Sequence, residues 1–155
     1  MFDERSVAGE GGMLNVAFGR REGPPLLFLH GLGRCGRDFA PLFAGLAPWG
    51  RPIAVDHRGH GRSGRTADYR VVDYVADAIA VLRTLEQPAV LIGHSLGALT
   101  ALGVAAAEPE RVRGAVLLDP PGPGFLANLD ATPYAPMWRA MQRLAGSPLP
   151  TSTSC

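Results

Sequence analysis

The chain has 155 residues, 46% of them hydrophobic and 19% charged, with a formal net charge of +1. That is enough for one domain with a sizeable core, and it excludes a disordered polar chain. The basic residues are all arginine and lie scattered, so no stripe suggests a nucleic-acid partner.

The N-terminus, Met1-Phe2-Asp3-Glu4-Arg5, is charged and lacks the apolar core of a signal peptide, and no apolar stretch approaches bilayer length. A cytoplasmic chain with no membrane partner is the expectation. Met13-Leu14-Asn15-Val16-Ala17-Phe18, after a Gly-Gly pair, reads as a strand of an edge hairpin. Pro24-Pro25 precedes a buried strand, Leu26-Leu27-Phe28-Leu29, that runs into His30-Gly31-Leu32-Gly33. The two cysteines, Cys35 and Cys155, make neither a disulfide framework nor a metal-ligand spacing.

Phe39, Leu42, Phe43 and Leu46 share one helical face, and Pro48 and Gly50 end that helix. A short strand over 52–55 delivers Asp56 and the glycine-rich turn Asp56-His57-Arg58-Gly59-His60-Gly61-Arg62-Ser63. Arg58, Arg62 and Arg65 in and after this turn read as solvated arginines. Val71, Tyr74, Val75, Ala78, Ile79, Leu82 and Leu85 then form a helical apolar stripe, with Asp73, Asp77 and Arg83 on the wet side. Pro88 stops that helix before the strand Ala89-Val90-Leu91-Ile92.

This strand turns into an Ala-rich helix through Gly93-His94-Ser95-Leu96-Gly97, a G-x-S-x-G at a strand-to-helix reversal. Glycines flank the serine because the turn is tight, and the serine is expected in a strained conformation with its hydroxyl thrust out at the sheet edge. The helix start offers free N–H groups, of which Leu96 N–H is the first, and its dipole favours negative charge on a substrate oxygen. Leu99, Leu102, Gly103 and Ala106 are expected to form a small-residue face toward the sheet, and Glu108-Pro109-Glu110 ends the helix. A last strand, 115–118, ends in Asp119.

Alternation of strands with helices argues for a mostly parallel, doubly wound α/β sheet with helices on both faces. Ligands bind such sheets at the carboxyl ends of the strands, where His30, Asp56, Ser95 and Asp119 all fall. The breaker cluster Pro120-Pro121-Gly122-Pro123-Gly124 follows, and then a helical segment with Met137, Trp138, Met141 and Leu144 on one side. Residues 147–155 show no periodicity and are expected to be disordered.

The ordered set of His-Gly-x-Gly, D-x-R-G-x-G-x-S and G-x-S-x-G resembles the serine-nucleophile branch of the α/β-hydrolase fold superfamily, N-terminal portion, over roughly residues 10–125. The resemblance implies that residues 1–124 are the start of the hydrolase core, ending after about the sixth strand, and that 125–146 begin a lid. It implies Ser95 as nucleophile, with the N–H groups of Leu32 and Leu96 converging as an oxyanion hole. It makes the D-x-R-G-x-G-x-S turn mainly structural and lets His30 brace the oxyanion loop, while His94 is expected to point away from Ser95. Asp119 stands where a minority of members place the triad acid, and its residue type and place before Pro120 read first as a turn-forming Asp that satisfies loop N–H groups.

The histidine base is missing from this pattern. The family order is serine, acid, histidine, and no histidine follows Ser95; using His57 or His60 would need a different geometry. Two readings stay open: an incomplete chain of a hydrolase acting on an ester or related acyl substrate through an acyl-enzyme, or a non-catalytic small-molecule binding protein of the same fold. A Rossmann-type nucleotide site lacks its G-x-G-x-x-G, and a serine at 95 argues against the dehalogenase and epoxide-hydrolase branches, which the resemblance ties to a carboxylate nucleophile. No cofactor or metal is expected, the partner is a small-molecule substrate, and neither substrate nor oligomeric state follows from the sequence.

Overall fold

The computed structural model describes residues 2–20, 22–122, 124, 125, 128, 131–133, 135, 136, 139 and 140. Six strands make one sheet: β1 (Asp3–Ala8), β2 (Met13–Phe18), β3 (Pro25–Leu29), β4 (Arg51–Val55), β5 (Ala89–His94) and β6 (Val112–Leu118), in the order β1-β2-β4-β3-β5-β6. The hairpin β1–β2 adds antiparallel to β4, and from β4 through β3 and β5 to β6 the pairing is parallel. Among the described residues, α-helices follow β3, β4 and β5: α1 (Ala40–Leu46), α2 (Val71–Arg83) and α3 (Leu96–Ala107).

Strand alternation sorts the core into two layers. Leu27, Leu29, Ile53, Val55 and Leu91 point to one face, where Ala78, Val81 and Leu82 of α2 and Ala101 and Val104 of α3 cover them. Leu26, Phe28, Ala54 and Ile92 point to the other, against Phe39 and Phe43 at the start of and within α1. Their near-continuous apolar runs fit strands buried on both faces. At the far edge, β6 is different: Val116 is 47% exposed, Leu117 36% and Leu118 39%. An open apolar groove of about 540 Å³ runs from Leu42 and Trp49 past Val90 and Ile92 to Val116 and Leu118.

Three sequence expectations change. The buried face of α2 is Tyr74, Asp77, Ala78, Val81 and Leu82, so Asp77 is not on the wet side and Arg58 is not solvated. Arg58 Nε and Nη2 donate to Asp77 Oδ2 and Oδ1 at 2.6 and 2.8 Å with both side chains buried, because pairing lets the two charges leave water together. On α3 the sheet-facing residues are Gly97, Ala98, Ala101 and Val104. Leu102 is exposed, and a Cβ on Gly103 would lie 2.6 Å from Val75 Cγ2, so that glycine faces α2 instead.

The chain divides into two units, Met1–Pro120 and Pro121–Ser154. The sheet and its helices belong to the first. In the second, Phe125, Asn128, Ala131 and Ala135 donate N–H bonds to Gly122, Gly124, Asn128 and Thr132, a series of turns. Met137, Trp138, Met141, Leu144 and the tail 147–155 lie outside the described residues.

Candidate active site

Strand β5 carries the chain into the turn at Ser95, whose φ of 51° and ψ of −113° are strained for a residue with a Cβ. Ser95 is pinned from both sides. Its N–H donates to Leu118 O of β6 at 2.9 Å, and its carbonyl accepts from Ala98 and Leu99 N–H in the first turn of α3. A Cβ on Gly97 would sit 1.9 Å from Leu29 O and 2.8 Å from His30 O, so only glycine lets the helix start this close to β3. Leu96 N–H opens α3 and, as a first-turn amide, has no intrahelical acceptor.

The loop after β3 lies against this turn: a Cβ on Gly31 would be 2.8 Å from His94 Nδ1 and 3.3 Å from Ser95 Cβ. Arg34 N–H donates to Gly31 O at 3.2 Å, and Gly33 has φ of +70°, the arrangement of a type II turn with glycine at its third position. Among the described residues, Leu32 N–H finds no protein acceptor, while Gly33 N–H donates to His60 Nε2 at 3.2 Å. His30 hydrogen-bonds Gly31 O through Nδ1 at 2.7 Å and accepts His57 N–H on Nε2 at 2.9 Å.

Behind this loop the turn after β4 is tied down by Asp56. Its carboxylate accepts from Gly36 N–H, Asn15 Nδ2 and Arg62 N–H at 2.8 to 3.0 Å, and Ser63 Oγ accepts from Asn15 N–H at 2.8 Å. These bonds give Asp56 and Ser63 a structural role. The rings of His30 and His57 are 4.5 Å apart, those of His30 and His60 5.2 Å, and those of His57 and Tyr74 5.2 Å. Burial pushes His30 down to about 4 from the ordinary 6.5. His57 is held well below that value, first by burial and then by its neighbour His30. Its Nε2 is buried and, among the described residues, has no hydrogen-bond partner. Burial also raises the Tyr74 hydroxyl to about 12.

Ser95, Leu96 and the loop carrying Leu32 are thus adjacent, and Asp119, with φ of 48°, ends β6 one residue beyond the carbonyl that binds Ser95 N–H. Among the described residues no imidazole nitrogen is hydrogen-bonded to Ser95, and no group of three His, Cys, Asp or Glu side chains could hold a metal ion. No described helix is long and apolar enough to cross a membrane. His60, assigned only to a structural turn by its motif, reaches Gly33 in the loop after β3 across 27 positions, a contact that no local pattern announces.

The order of the strands, the strained serine at the β5–α3 turn and the glycine loop pressed against it define an α/β fold of the hydrolase type. The chain belongs to the alpha/beta hydrolase fold family, whose model matches residues 24–154. It is 41% identical over 99 residues to the 2-(acetamidomethylene)succinate hydrolase of Mesorhizobium japonicum, covering 63% of this chain and 36% of that protein. It is 38% identical over 131 residues to the 2-hydroxymuconate semialdehyde hydrolase of a Pseudomonas species, covering 79% and 46%. The crystal structure of an alpha/beta hydrolase from Novosphingobium aromaticivorans superposes with a TM-score of 0.66 at 35% identity, over 75% of this chain and 43% of that one. The chain therefore spans less than half the length of these relatives.

Proposed function

We propose that this chain carries the nucleophile and oxyanion half of a serine hydrolase that cleaves an ester or related acyl bond of a small molecule through an acyl-enzyme. The observation that carries the reading is the strained backbone of Ser95 at the end of β5, with the Gly31 backbone against its side chain. Ser95 Oγ would attack the acyl carbon while its proton passes to a base, and the carbonyl π pair would move onto oxygen between the N–H groups of Leu32 and Leu96. Collapse would expel the leaving group with a proton, and water would then release the acid. A hydroxyl needs a base for both halves; buried His30 spends both ring nitrogens on Gly31 O and His57 N–H, and buried His57 makes no hydrogen bond to Ser95 among the described residues. In this reading the histidine comes from polypeptide corresponding to the remaining length of the relatives, with Asp119 as a candidate acid. The printed names of those relatives, hydrolases of a substituted succinate and of a muconate semialdehyde, support a small organic substrate.

The absence of an imidazole on Ser95 among the described residues favours a second reading, a non-catalytic binder of the same small molecules. A version of the protein carrying a base separates the two: Ser95→Ala should cost on the order of a million-fold in ester turnover. Turnover that survives Ser95→Ala would sink the nucleophile assignment, and ester binding with no turnover in the unsubstituted protein would favour the binder.

A further inference from the structure

We propose that His60 is a positioning residue which, together with His30, clamps the two successive peptide planes of the oxyanion loop and thereby fixes the direction of Leu32 N–H. The inference rests on the reading of Leu32 N–H as an oxyanion donor and adds how that donor is aimed.

A peptide unit is planar and trans, so a carbonyl and the N–H of the next residue point in opposite directions. Gly31 C=O and Leu32 N–H belong to one such plane. Gly31 O accepts from His30 Nδ1 and from Arg34 N–H, which directs Leu32 N–H the other way. Leu32 C=O and Gly33 N–H form the next plane, and there Gly33 N–H donates to His60 Nε2 at 3.2 Å. The positive φ of Gly33 marks a type II turn, in which the Leu32–Gly33 plane takes one of its two possible orientations. A bond to Gly33 N–H selects one of these states. His60 therefore holds the plane that His30 does not reach, and Leu32 sits between the two.

The partners also dictate the chemical form of both rings. His60 Nδ1 lies 2.9 Å from Arg58 O and must donate there, which leaves Nε2 as the acceptor that Gly33 N–H requires. His30 is in the same tautomer, with Nδ1 donating to Gly31 O and Nε2 accepting His57 N–H. Two neutral imidazoles with matching tautomers thus hold neighbouring planes of one loop. The carbonyl that orients His60 belongs to Arg58, whose guanidinium is anchored on Asp77 of α2, so the clamp is built on the buried ion pair.

The test begins with the unsubstituted chain labelled with ¹⁵N. An N–H···N bond transmits a two-bond nitrogen–nitrogen coupling, so Gly33 N should couple to His60 Nε2, and both His60 and His30 should show the Nδ1–H tautomer. His60→Ala should raise amide exchange at Gly33 by about five- to tenfold, as for loss of one hydrogen bond, with exchange at Val81 and Leu91 unchanged. His60→Gln, whose amide oxygen can accept from Gly33 N–H, should restore it. Fluorophosphonate labelling of Ser95, followed over days, should slow by about tenfold in His60→Ala and recover in His60→Gln. That lies below the roughly 100- to 1,000-fold cost of losing an oxyanion donor outright. A missing Gly33–His60 coupling, equal exchange in His60→Ala, exchange raised equally in the core, or labelling that ignores the substitution would each overturn the clamp. An unsubstituted chain that never labels at Ser95 would instead overturn the nucleophile reading, and the coupling and exchange measurements, which do not involve Ser95, tell the two failures apart.

Discussion

Adding one methyl at position 97 tests the tight turn at Ser95 by packing alone. The Cβ of Gly97→Ala would fall 1.9 Å from Leu29 O, 2.4 Å from Leu29 C and 2.8 Å from His30 O, whereas real Cβ contacts essentially never come under 3.0 Å. The first turn of α3 would have to retreat from β3 by about 1 Å, and the obstacle is backbone, held by pairing to β4 and β5 on both sides. Overpacking typically costs about 1–3 kcal/mol, and an obstacle that cannot rotate away places this case at about 3 kcal/mol or more. The helix propensity gained from alanine returns up to about 1 kcal/mol. The net loss is about 2–3 kcal/mol, which for a chain of this size lowers Tm by about 5–10 °C. Urea unfolding followed by circular dichroism should show the midpoint fall by about 1 M at unchanged slope. Gly114→Ala, whose Cβ meets nothing within 4 Å, is the control and should stay within about 0.5 kcal/mol. A Gly97→Ala protein unfolding at the unsubstituted midpoint would refute the tight turn.

Three further outcomes follow from other parts of the molecule. Because the unfolded chain protonates His30 near 6.5 and the folded one only near 4, stability should be full above pH 6.5 and decline by about 3 kcal/mol as pH falls to 4. Buried His57 acts in the same direction, and a urea midpoint that stays level from pH 7 to 4 would contradict both. Asp77→Ala, which strands buried Arg58, should cost about 3–5 kcal/mol, with Arg58→Met plus Asp77→Leu recovering much of it; additive losses in the double-mutant cycle would argue against a coupled pair. Val116→Lys on the exposed edge strand β6 should reduce concentration-dependent light scattering, and equal scattering in both proteins would remove β6 as the site of self-association.

The parts of the fold that could be read from the sequence were those where one local rule decides. Runs such as 26–29 and 89–92 had to be buried strands, and the glycines around Ser95 implied the reversal that the backbone adopts. The helical stripe of α2 was legible only to within part of a turn. Tyr74, Ala78 and Leu82 are buried as their spacing requires, but Val71, Val75 and Ile79 are half-buried, and the buried face is completed by Asp77 and Val81. Periodicity ranks positions by apolarity, so it assigned Asp77 to solvent. The signal that would have placed it inward is a partner 19 positions away, Arg58, in a glycine-rich turn. The same holds for His60 and Gly33: a single hydrogen bond between loops has no period and no composition. What joins distant loops is set by the sheet order, which brings β4 beside β3, and that order was not itself written in either segment.

The conformation of Ser95 also determines which residue folding alone would favour at the position. A Cβ in that region of φ and ψ costs on the order of 1–3 kcal/mol, and glycine would avoid it. Ser95→Gly is therefore expected to unfold at higher urea than the unsubstituted chain, while Ser95→Ala gains nothing; equal midpoints for the three would show that the turn is relaxed. Stability alone would let position 95 drift downhill to glycine. With Ser95 as the proposed nucleophile, folding favours glycine at this position while the chemistry requires a hydroxyl, so the two pull the same residue in opposite directions.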